Sequence, residues 1–269
     1  MHQRKICRAM TWTLVAVAAT SLVQLSALGQ SLDWIPTVRT HAWSRFGARA
    51  WKEVRVRTYA VGEQGEVLRS STTTARTRVT NVDARSFSLC VSSTVEVAGQ
   101  AFSSEPQTFS RDVAPRIESS EVVGQQQVTI QGQEYATQVI TFSSTTGTQQ
   151  ESNTIFYCKD TTPQTLKRVT RSVDVANPDT ATETTVAVTE LNKMADILGE
   201  PKCTWASTTV IKMPDKTIAI REVNCAEVPG ELVSQITEEF DANGVLVARK
   251  ELELIGYGYG RPKRLFRHR

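Results

Sequence analysis

Histidine is scarce in this sequence, and the scarcity excludes most nucleophilic mechanisms. There are three histidines in 269 residues; His2 and His268 lie near the ends, so only His41 could serve as the base of a Ser–His or Cys–His system. No Gly-x-Ser-x-Gly, His-Glu-x-x-His or glycine-rich phosphate loop occurs. A carboxylate pair could still hydrolyse a glycosidic bond without leaving a motif. We therefore expect a non-catalytic protein without a cofactor or metal, with a carboxylate-based hydrolase as an alternative.

Long apolar runs are also missing. The longest, from Thr11 to Leu25, is shorter than the roughly 20 residues that a membrane-spanning helix needs. It follows a basic start and precedes the small residues Ala27 and Gly29, which is the pattern of a cleaved signal peptide. We expect export to the periplasm or the medium, with no transmembrane segment in the mature chain. A retained anchor is the alternative.

The excess of positive over negative charge lies at the two ends of the chain. The sequence has 31 basic and 28 acidic residues; residues 1–29 hold three of the basic ones and the last nine residues hold five, so residues 30–260 carry 23 basic and 28 acidic residues. A nucleic-acid-binding protein should carry positive charge on its folded surface, so we expect no nucleic-acid partner. The tail either is solvated or contacts an anionic surface, such as lipid head groups or acidic polysaccharide. Its basic residues are Arg261, Lys263, Arg264, Arg267 and Arg269.

Cysteine is infrequent, with four residues in the expected mature chain: Cys90, Cys158, Cys203 and Cys225. An even number in an exported protein favours disulfides. Cys203 and Cys225 flank a predicted hairpin, so we predict that they pair, which leaves Cys90 and Cys158 as a possible second pair. Free buried thiols are the alternative. A zinc site is not expected, because no Cys-x-x-Cys spacing occurs and no histidine lies near these residues.

The sequence is rich in Thr, Ser and Val, which favour strands. Apolar and polar residues alternate, for example in Val54-Arg55-Val56-Arg57, and turn signals separate these runs. The pattern predicts a mostly β fold: an antiparallel meander that forms a strongly curved sheet or a partial barrel, with few short helices. For residues 192–199 a helix and a strand fit almost equally. A helical turn is also possible between Leu32 and Ala50.

A weak internal duplication has a period of 67 residues. Ile130-Gln131-Gly132-Gln133 recurs as Ile197-Leu198-Gly199-Glu200, and Cys158 recurs as Cys225. A period of this size indicates supersecondary units that pack against one another. We expect the following organisation: signal peptide 1–29, N-terminal β meander 30–124, first β repeat 125–191, second β repeat 192–260 in the same sheet or domain, and basic tail 261–269.

One segment is rich in aromatic and basic residues: His41-Ala42-Trp43-Ser44-Arg45-Phe46, followed by Trp51-Lys52. It could be a recognition patch, or it could anchor its aromatic rings on the sheet. We favour anchoring, because large aromatic side chains mainly serve burial.

The stretch with Trp43, Arg45, Phe46 and Trp51-Lys52 resembles the start of a group of uncharacterised exported bacterial β-rich proteins. Residues 95–99 with 106–108, and Val228-Pro229-Gly230-Glu231-Leu232 with the glycine-rich 255–258, are similar to later parts of that group. The resemblance implies an exported β protein and no particular activity. The Val-Pro-Gly pattern is also faintly similar to periplasmic lipoprotein carriers, whose curved antiparallel sheet is closed on one side by helices.

The function expected from the sequence is therefore coarse. We expect an exported binding or structural β protein. The alternatives are a lipid or lipoprotein carrier with a concave apolar face and the carboxylate-based hydrolase. Possible partners are an envelope lipid, a polysaccharide or another envelope protein. A carrier needs an open apolar cavity, and a hydrolase needs two converging carboxylates.

Overall fold

The structure is a computed structural model that describes residues 41–62, 64–112, 119–146 and 148–259. The predicted signal peptide and the basic tail lie outside these ranges. The described residues form strands and no helix. The strands are β1 (Trp51–Val61), β2 (Val67–Val82), β3 (Ser86–Val97), β4 (Gln100–Ser103), β5 (Gln107–Asp112), β6 (Ser119–Ile130), β7 (Gln133–Thr146), β8 (Gln149–Tyr157), β9 (Thr165–Asp174), β10 (Asn177–Ile197), β11 (Glu200–Lys212), β12 (Lys216–Asn224), β13 (Leu232–Asp241) and β14 (Leu246–Gly258).

All fourteen strands belong to one antiparallel sheet, in the order β4-β3-β2-β1-β14-β13-β12-β11-β10-β9-β8-β7-β6, with β5 pairing with β3 beside β4. Since β1 pairs with both β2 and β14, the first and last of the described strands are neighbours in the interior of the sheet. The sheet is strongly curved and, among the described strands, it is not closed. The predicted antiparallel β fold class is confirmed.

The curvature is visible in the core. Ile130 at the end of β6 belongs to the same buried cluster as Trp205 on β11. In a flat sheet these strands would lie about 24 Å apart, five spacings of about 4.8 Å. The sheet therefore bends until side chains five strands apart pack together. We call the face that carries the buried alternate residues the inner face; on β1 it holds Lys52, Val54 and Val56.

The segment for which helix and strand fitted almost equally is a strand. β10 continues to Ile197, and its pairing with β11 shifts register between Val188 and Lys193. These irregularities bend the strand, which explains why its apolar residues do not alternate regularly. Before β1, residues 41–46 form turns, in which Ser44 N donates to His41 O (2.8 Å) and Phe46 N donates to Trp43 O (3.1 Å).

The 67-residue repeat is present in the strand boundaries. β8 and β9 begin and end 67 residues before β12 and β13, and β7 begins 67 residues before β11. The loop hydrogen bonds match as well: Cys158 N donates to Gln164 O (2.7 Å), and Cys225 N donates to Glu231 O (2.8 Å). The two copies thus share backbone geometry and can be compared position by position. The predicted boundaries of the individual units stay predictions.

Each repeat contains a hairpin that extends beyond its neighbours. Residues 126–137 of β6 and β7, the first hairpin tip, pair with each other beyond the end of β8. Residues 193–204 of β10 and β11, the second hairpin tip, do the same beyond β12. At the base of each tip a buried threonine donates to a carbonyl across the hairpin: Thr137 to Gln126 (2.6 Å) and Thr204 to Lys193 (2.8 Å).

The hairpin tips cover one end of the inner face. Ile130 of the first tip packs in a cluster with Cys158, Leu166 and Trp205. Ile197 of the second tip belongs to a cluster with β1, β2 and β14 and with the loop after β12. Residues 43–50 pack in a third cluster, with β2 and β3. At this end of the sheet, the two hairpin tips and residues 43–50 therefore form a second layer over the inner face. No helix among the described residues contributes to that layer.

The predicted disulfides are not supported, because all four described cysteines are free. In the β11–β12 ladder Trp205 lies opposite Asn224, so position 203 corresponds to position 226 and not to 225. A one-residue offset turns side chains to opposite faces of a sheet; accordingly Cys203 is exposed and Cys225 is buried. The possible second pair is also separated: Cys90 lies on β3, whereas Cys158 is buried after β8, near the opposite end of the strand order.

Candidate functional site

A row of inner-facing side chains crosses six neighbouring strands of the sheet. In register order its members are Val56, Leu252, Gln235, Glu222, Ser207 and Val188, from β1, β14, β13, β12, β11 and β10. The outer members are apolar and the three central ones are polar. Gln235 and Ser207 are buried, and the Glu222 residue is partly exposed. A carboxylate thus lies in the middle of an otherwise apolar row.

Hydrogen bonds join the polar residues into a cluster. Gln235 Nε2 donates to Glu222 Oε1 (3.1 Å), and Ser207 Oγ lies 3.4 Å from Glu222 Oε2. Asn224 Nδ2 donates to Ser207 Oγ (3.4 Å). The buried Lys52 completes the cluster; its Nζ donates to the Leu232 carbonyl (3.4 Å). We call Lys52, Ser207, Glu222, Asn224 and Gln235 the polar cluster.

The two ionisable members of the cluster have perturbed pKa values. Burial raises the pKa of the Glu222 carboxyl to about 6, although the hydrogen bond from Ser207 and the charge of Lys52 oppose the rise. Burial lowers the pKa of the Lys52 ammonium to about 8, although the charge of Glu222 opposes the fall. At pH 7 both groups are therefore charged, and each charge costs folding energy. Perturbed groups of this kind concentrate at functional sites.

The first repeat shows that the fold does not require polar residues at the positions of Ser207 and Glu222. The positions 67 residues earlier than Ser207, Glu222 and Gln235 are Ile140, Ile155 and Arg168. Ile155 is 1% exposed, so the backbone position that holds Glu222 accepts a fully buried isoleucine in the other copy. Since burying an isoleucine stabilises and burying a carboxylate does not, the glutamate has no folding advantage here.

The first repeat has a polar cluster of its own, in which Arg168 occupies the position of Gln235 and two further residues, Asn153 and Thr170, lie at other positions. Thr170 Oγ1 donates to Asn153 Oδ1 (2.7 Å), and Arg168 Nε donates to Asn153 Oδ1 (3.2 Å) and Thr170 Oγ1 (2.9 Å). Asn153 also lines an open groove of about 500 Å³ between β6, β7 and β8. Phe142 is the one apolar residue of its lining. The other lining residues are Ser120, Glu121, Thr141, Ser143, Ser152 and Asn153.

The aromatic segment before β1 forms a cover next to Lys52. His41 and Trp43 are buried, in agreement with anchoring on the sheet and not with an open recognition patch. The Trp43 ring lies 5.4 Å from Lys52 Nζ, which favours the ammonium through a cation–π contact. Arg45 forms an ion pair with Glu231 in the loop after β12. This contact ties the cover to the strand end that bears the polar cluster.

His41 is not placed as a catalytic base. Its Nδ1 accepts a hydrogen bond from Trp43 N (3.2 Å), and its ring packs 4.4 Å from the Phe87 ring. Burial, with a smaller effect of the Arg111 charge, lowers the pKa of His41 to about 4. The histidine is therefore neutral at pH 7.

Sequence reasoning did not find the polar cluster. Lys52 entered only as a neighbour of Trp51, and Glu222 was not singled out. The available signal was the repeat itself, since aligning the copies places Glu222 against Ile155. Of the predicted site residues, the four cysteines lie apart and the basic tail residues lie outside the described ranges. Within those ranges no group of three His, Cys, Asp or Glu residues is arranged to hold a metal ion, and no helix could cross a membrane.

No family model and no curated protein match the chain. Among solved structures it is similar to a Bacteroides fragilis protein named as an exported protein with a YmcC-like fold: 11% identity, 79% of this chain and 98% of that one covered, TM-score 0.29. It is also similar to a Parabacteroides distasonis protein named as a lipoprotein: 13% identity, 79% and 97% covered, TM-score 0.31. Similarities at this level carry no argument about the function of this chain.

Proposed function

We propose that the protein is an exported, non-catalytic binding protein that holds a small polar ligand on its inner face at the polar cluster. The observation that supports this is the difference between the repeats: where one copy buries Ile155, the other places the charged, partly exposed Glu222. A charge at a position that accepts isoleucine lowers the stability of the fold. Natural proteins tolerate such a loss of stability mainly at functional sites.

The chemistry of the cluster defines the class of ligand. Glu222 is the charged member that is partly exposed, and an ionised carboxylate only accepts hydrogen bonds. The ligand should therefore present donors, namely hydroxyl or amino groups. Gln235 and Asn224 add amide groups that can donate and accept. The hydrogen bond from Ser207 and, to a smaller extent, the charge of the deeper Lys52 favour the ionised form of Glu222 against the effect of burial.

The alternatives have less support. An apolar-chain carrier needs an open apolar cavity, whereas the described groove has a mostly polar lining and the inner-face row is polar at its centre. A glycoside hydrolase needs a second carboxylate opposite the first, whereas Glu222 is hydrogen-bonded to Gln235 and Ser207 and influenced by Lys52. Export is supported by the basic start and the short apolar run of residues 1–29.

Native mass spectrometry of protein purified without denaturation from the exported fraction tests the proposal. The wild type should retain a small-molecule adduct, and the double variant Lys52→Met/Glu222→Ile should lack it while remaining folded. A matched control is Lys216→Met/Glu239→Ile, which removes the same residue types from an ion pair (2.8 Å) between β12 and β13. Equal occupancy of all three proteins, or an empty wild type, would contradict a ligand site at Glu222.

A further inference from the structure

A second row of inner-facing side chains runs beside the row that contains Glu222. From β11 to β1 its members are Thr209, Ile220, Thr237, Lys250 and Thr58, which lie opposite one another in the strand ladders. Each member lies two residues, about 7 Å, from a member of the first row on the same strand, so both rows share the inner face. The second row adds hydroxyl groups and one ammonium group beside the polar cluster.

Thr237 has lost the hydrogen-bond partner that its equivalent has in the first repeat. The equivalent residue, Thr170, donates to Asn153 Oδ1 (2.7 Å), whereas the residue in the place of Asn153 is Ile220. Both threonines are more than nine-tenths buried, and Thr237 forms no side-chain hydrogen bond within the described ranges. Its oxygen is not sealed off, because the fully enclosed side-chain oxygen without a partner in those ranges is that of Thr165. The Thr237 hydroxyl is therefore available to a ligand.

Thr209 extends the difference between the repeats. Its equivalent is Phe142, which packs with Ile155 as a buried apolar pair. The second repeat has Thr209 and Glu222 at these two positions, so a hydroxyl and a carboxylate replace an apolar contact. Such a replacement does not help folding, because buried polar groups stabilise less than packed apolar ones. The surface that differs between the copies thus reaches beyond Glu222 along β11 and β13.

Lys250 brings a positive charge to the same face. It is partly exposed, and in the described part of the chain it forms no hydrogen bond and no ion pair. The inner-face carboxylate on a neighbouring strand is Glu239, which pairs with Lys216 (2.8 Å). Because the charges of Lys52 and Glu222 balance each other, Lys250 gives this part of the inner face an excess of positive charge. An ammonium group only donates hydrogen bonds, and it favours an anionic acceptor.

We propose that the ligand of the polar cluster is an anionic polyhydroxyl compound, such as an acidic sugar, whose hydroxyl groups contact Glu222 and Thr237 and whose anionic group contacts Lys250. This inference rests on the proposed function and narrows its class of ligand. The register places Lys250 two strands and two residues from Glu222, about 12 Å between Cα atoms. Both side chains extend over the concave face, so one sugar unit can contact both. An amino compound fits less well, because it would meet the excess positive charge.

Binding of four sugars that share one ring tests the inference: glucose, glucuronate, glucose 6-phosphate and glucosamine. Titrations of the full-length protein followed by NMR give each affinity. The wild type should bind at least one of the two anionic sugars about tenfold more tightly than glucose, the value of one charge-assisted hydrogen bond, and should bind glucosamine most weakly. The two anionic sugars distinguish a carboxylate from a phosphate as the group that Lys250 binds.

Variants assign the preference to Lys250. Lys250→Gln should bind the anionic sugars no more tightly than glucose, without a change in its affinity for glucose, whereas Glu222→Gln should weaken the binding of all four sugars. Lys212→Gln is the matched control, because Lys212 also lacks an ion pair among the described residues but follows the inward Ile211 and lies on the outer face. It should bind like the wild type.

Two results would overturn the inference: a wild type that binds neither anionic sugar more tightly than glucose, or a Lys250→Gln variant that keeps the wild-type preference. The adduct measured by native mass spectrometry separates this failure from that of the proposed function. If the wild type retains an adduct that depends on Glu222 while either result is found, the binding function stands and the anionic class of ligand is wrong.

Discussion

Replacing Lys52 and Glu222 together should stabilise the protein. The pKa of Glu222 lies about 1.5 units above its usual 4.5, and that of Lys52 about 2.5 units below its usual 10.5. At about 1.4 kcal/mol per unit, ionisation at pH 7 costs about 2 kcal/mol at Glu222 and about 3 kcal/mol at Lys52. Replacing a buried charged pair with apolar residues commonly adds roughly 1–4 kcal/mol. We expect a gain in that range for Lys52→Met/Glu222→Ile.

The single variants separate the two contributions. Lys52→Met or Glu222→Ile alone leaves one buried charge without its opposite, so each should be less stable than the double variant. A double-mutant cycle, measured by urea unfolding with tryptophan fluorescence, gives their coupling energy. Lys216→Met/Glu239→Ile is the control for the change in residue type.

The unfolding free energy of the wild type should depend on pH through Glu222 and Lys52, and the double variant should lose this dependence. Between about pH 4.5 and 6 the folded state holds a proton on Glu222 that the unfolded state has lost, so stability falls as pH rises. Between about pH 8 and 10.5 the unfolded state holds a proton on Lys52 that the folded state has lost, so stability rises with pH. The difference between wild type and double variant should therefore be largest from pH 6 to 8. A double variant clearly less stable than the wild type at pH 7 would refute this reasoning and make the cluster a structural element.

Three further predictions concern the cover and the cysteines. Gly230→Ala should cost more unfolding free energy than Gly199→Ala, because both glycines have positive φ but only at Gly230 would a Cβ clash with a side chain, that of Trp43; equal urea midpoints would contradict this. His41 has a folded pKa of about 4, so unfolding free energy should drop by up to about 3 kcal/mol as pH falls from 6.5 to 4, and His41→Gln should flatten that part of the titration. Without reductant, Cys203 should react with iodoacetamide in the native protein, and Cys225 should react only after unfolding. Recovery of a disulfide-linked peptide that contains both cysteines would contradict this prediction.

Local pattern predicts the strands of this fold well, because alternation and turn residues act over a few positions. Such signals predict that the side chains of Val54 and Val56 point inward and that a turn lies at Gln131-Gly132. The disulfide prediction failed on a quantity that sequence does not carry, the one-residue register that separates Cys203 from the position opposite Cys225.

The polar cluster could not be predicted for a different reason. Lys52 and Glu222 lie 170 positions apart, and the pairing of β1 with β14 brings them to the same part of the sheet. No periodicity records such a long-range pairing, which forms only when the whole sheet is assembled. The alignment of the two repeats was the one signal in the sequence. It places a glutamate where the other copy buries an isoleucine, which marks a position where packing alone does not determine the residue.

The central claim is tested most directly by a crystal structure of the exported protein. The protein should be purified without denaturation and without additives that resemble the expected ligand. We predict electron density for a bound molecule whose hydroxyl or amino groups lie within hydrogen-bond distance of Glu222. The account would be contradicted if the Glu222 carboxylate formed hydrogen bonds only with protein groups and water, and if the inner face left no room for a ligand beside it.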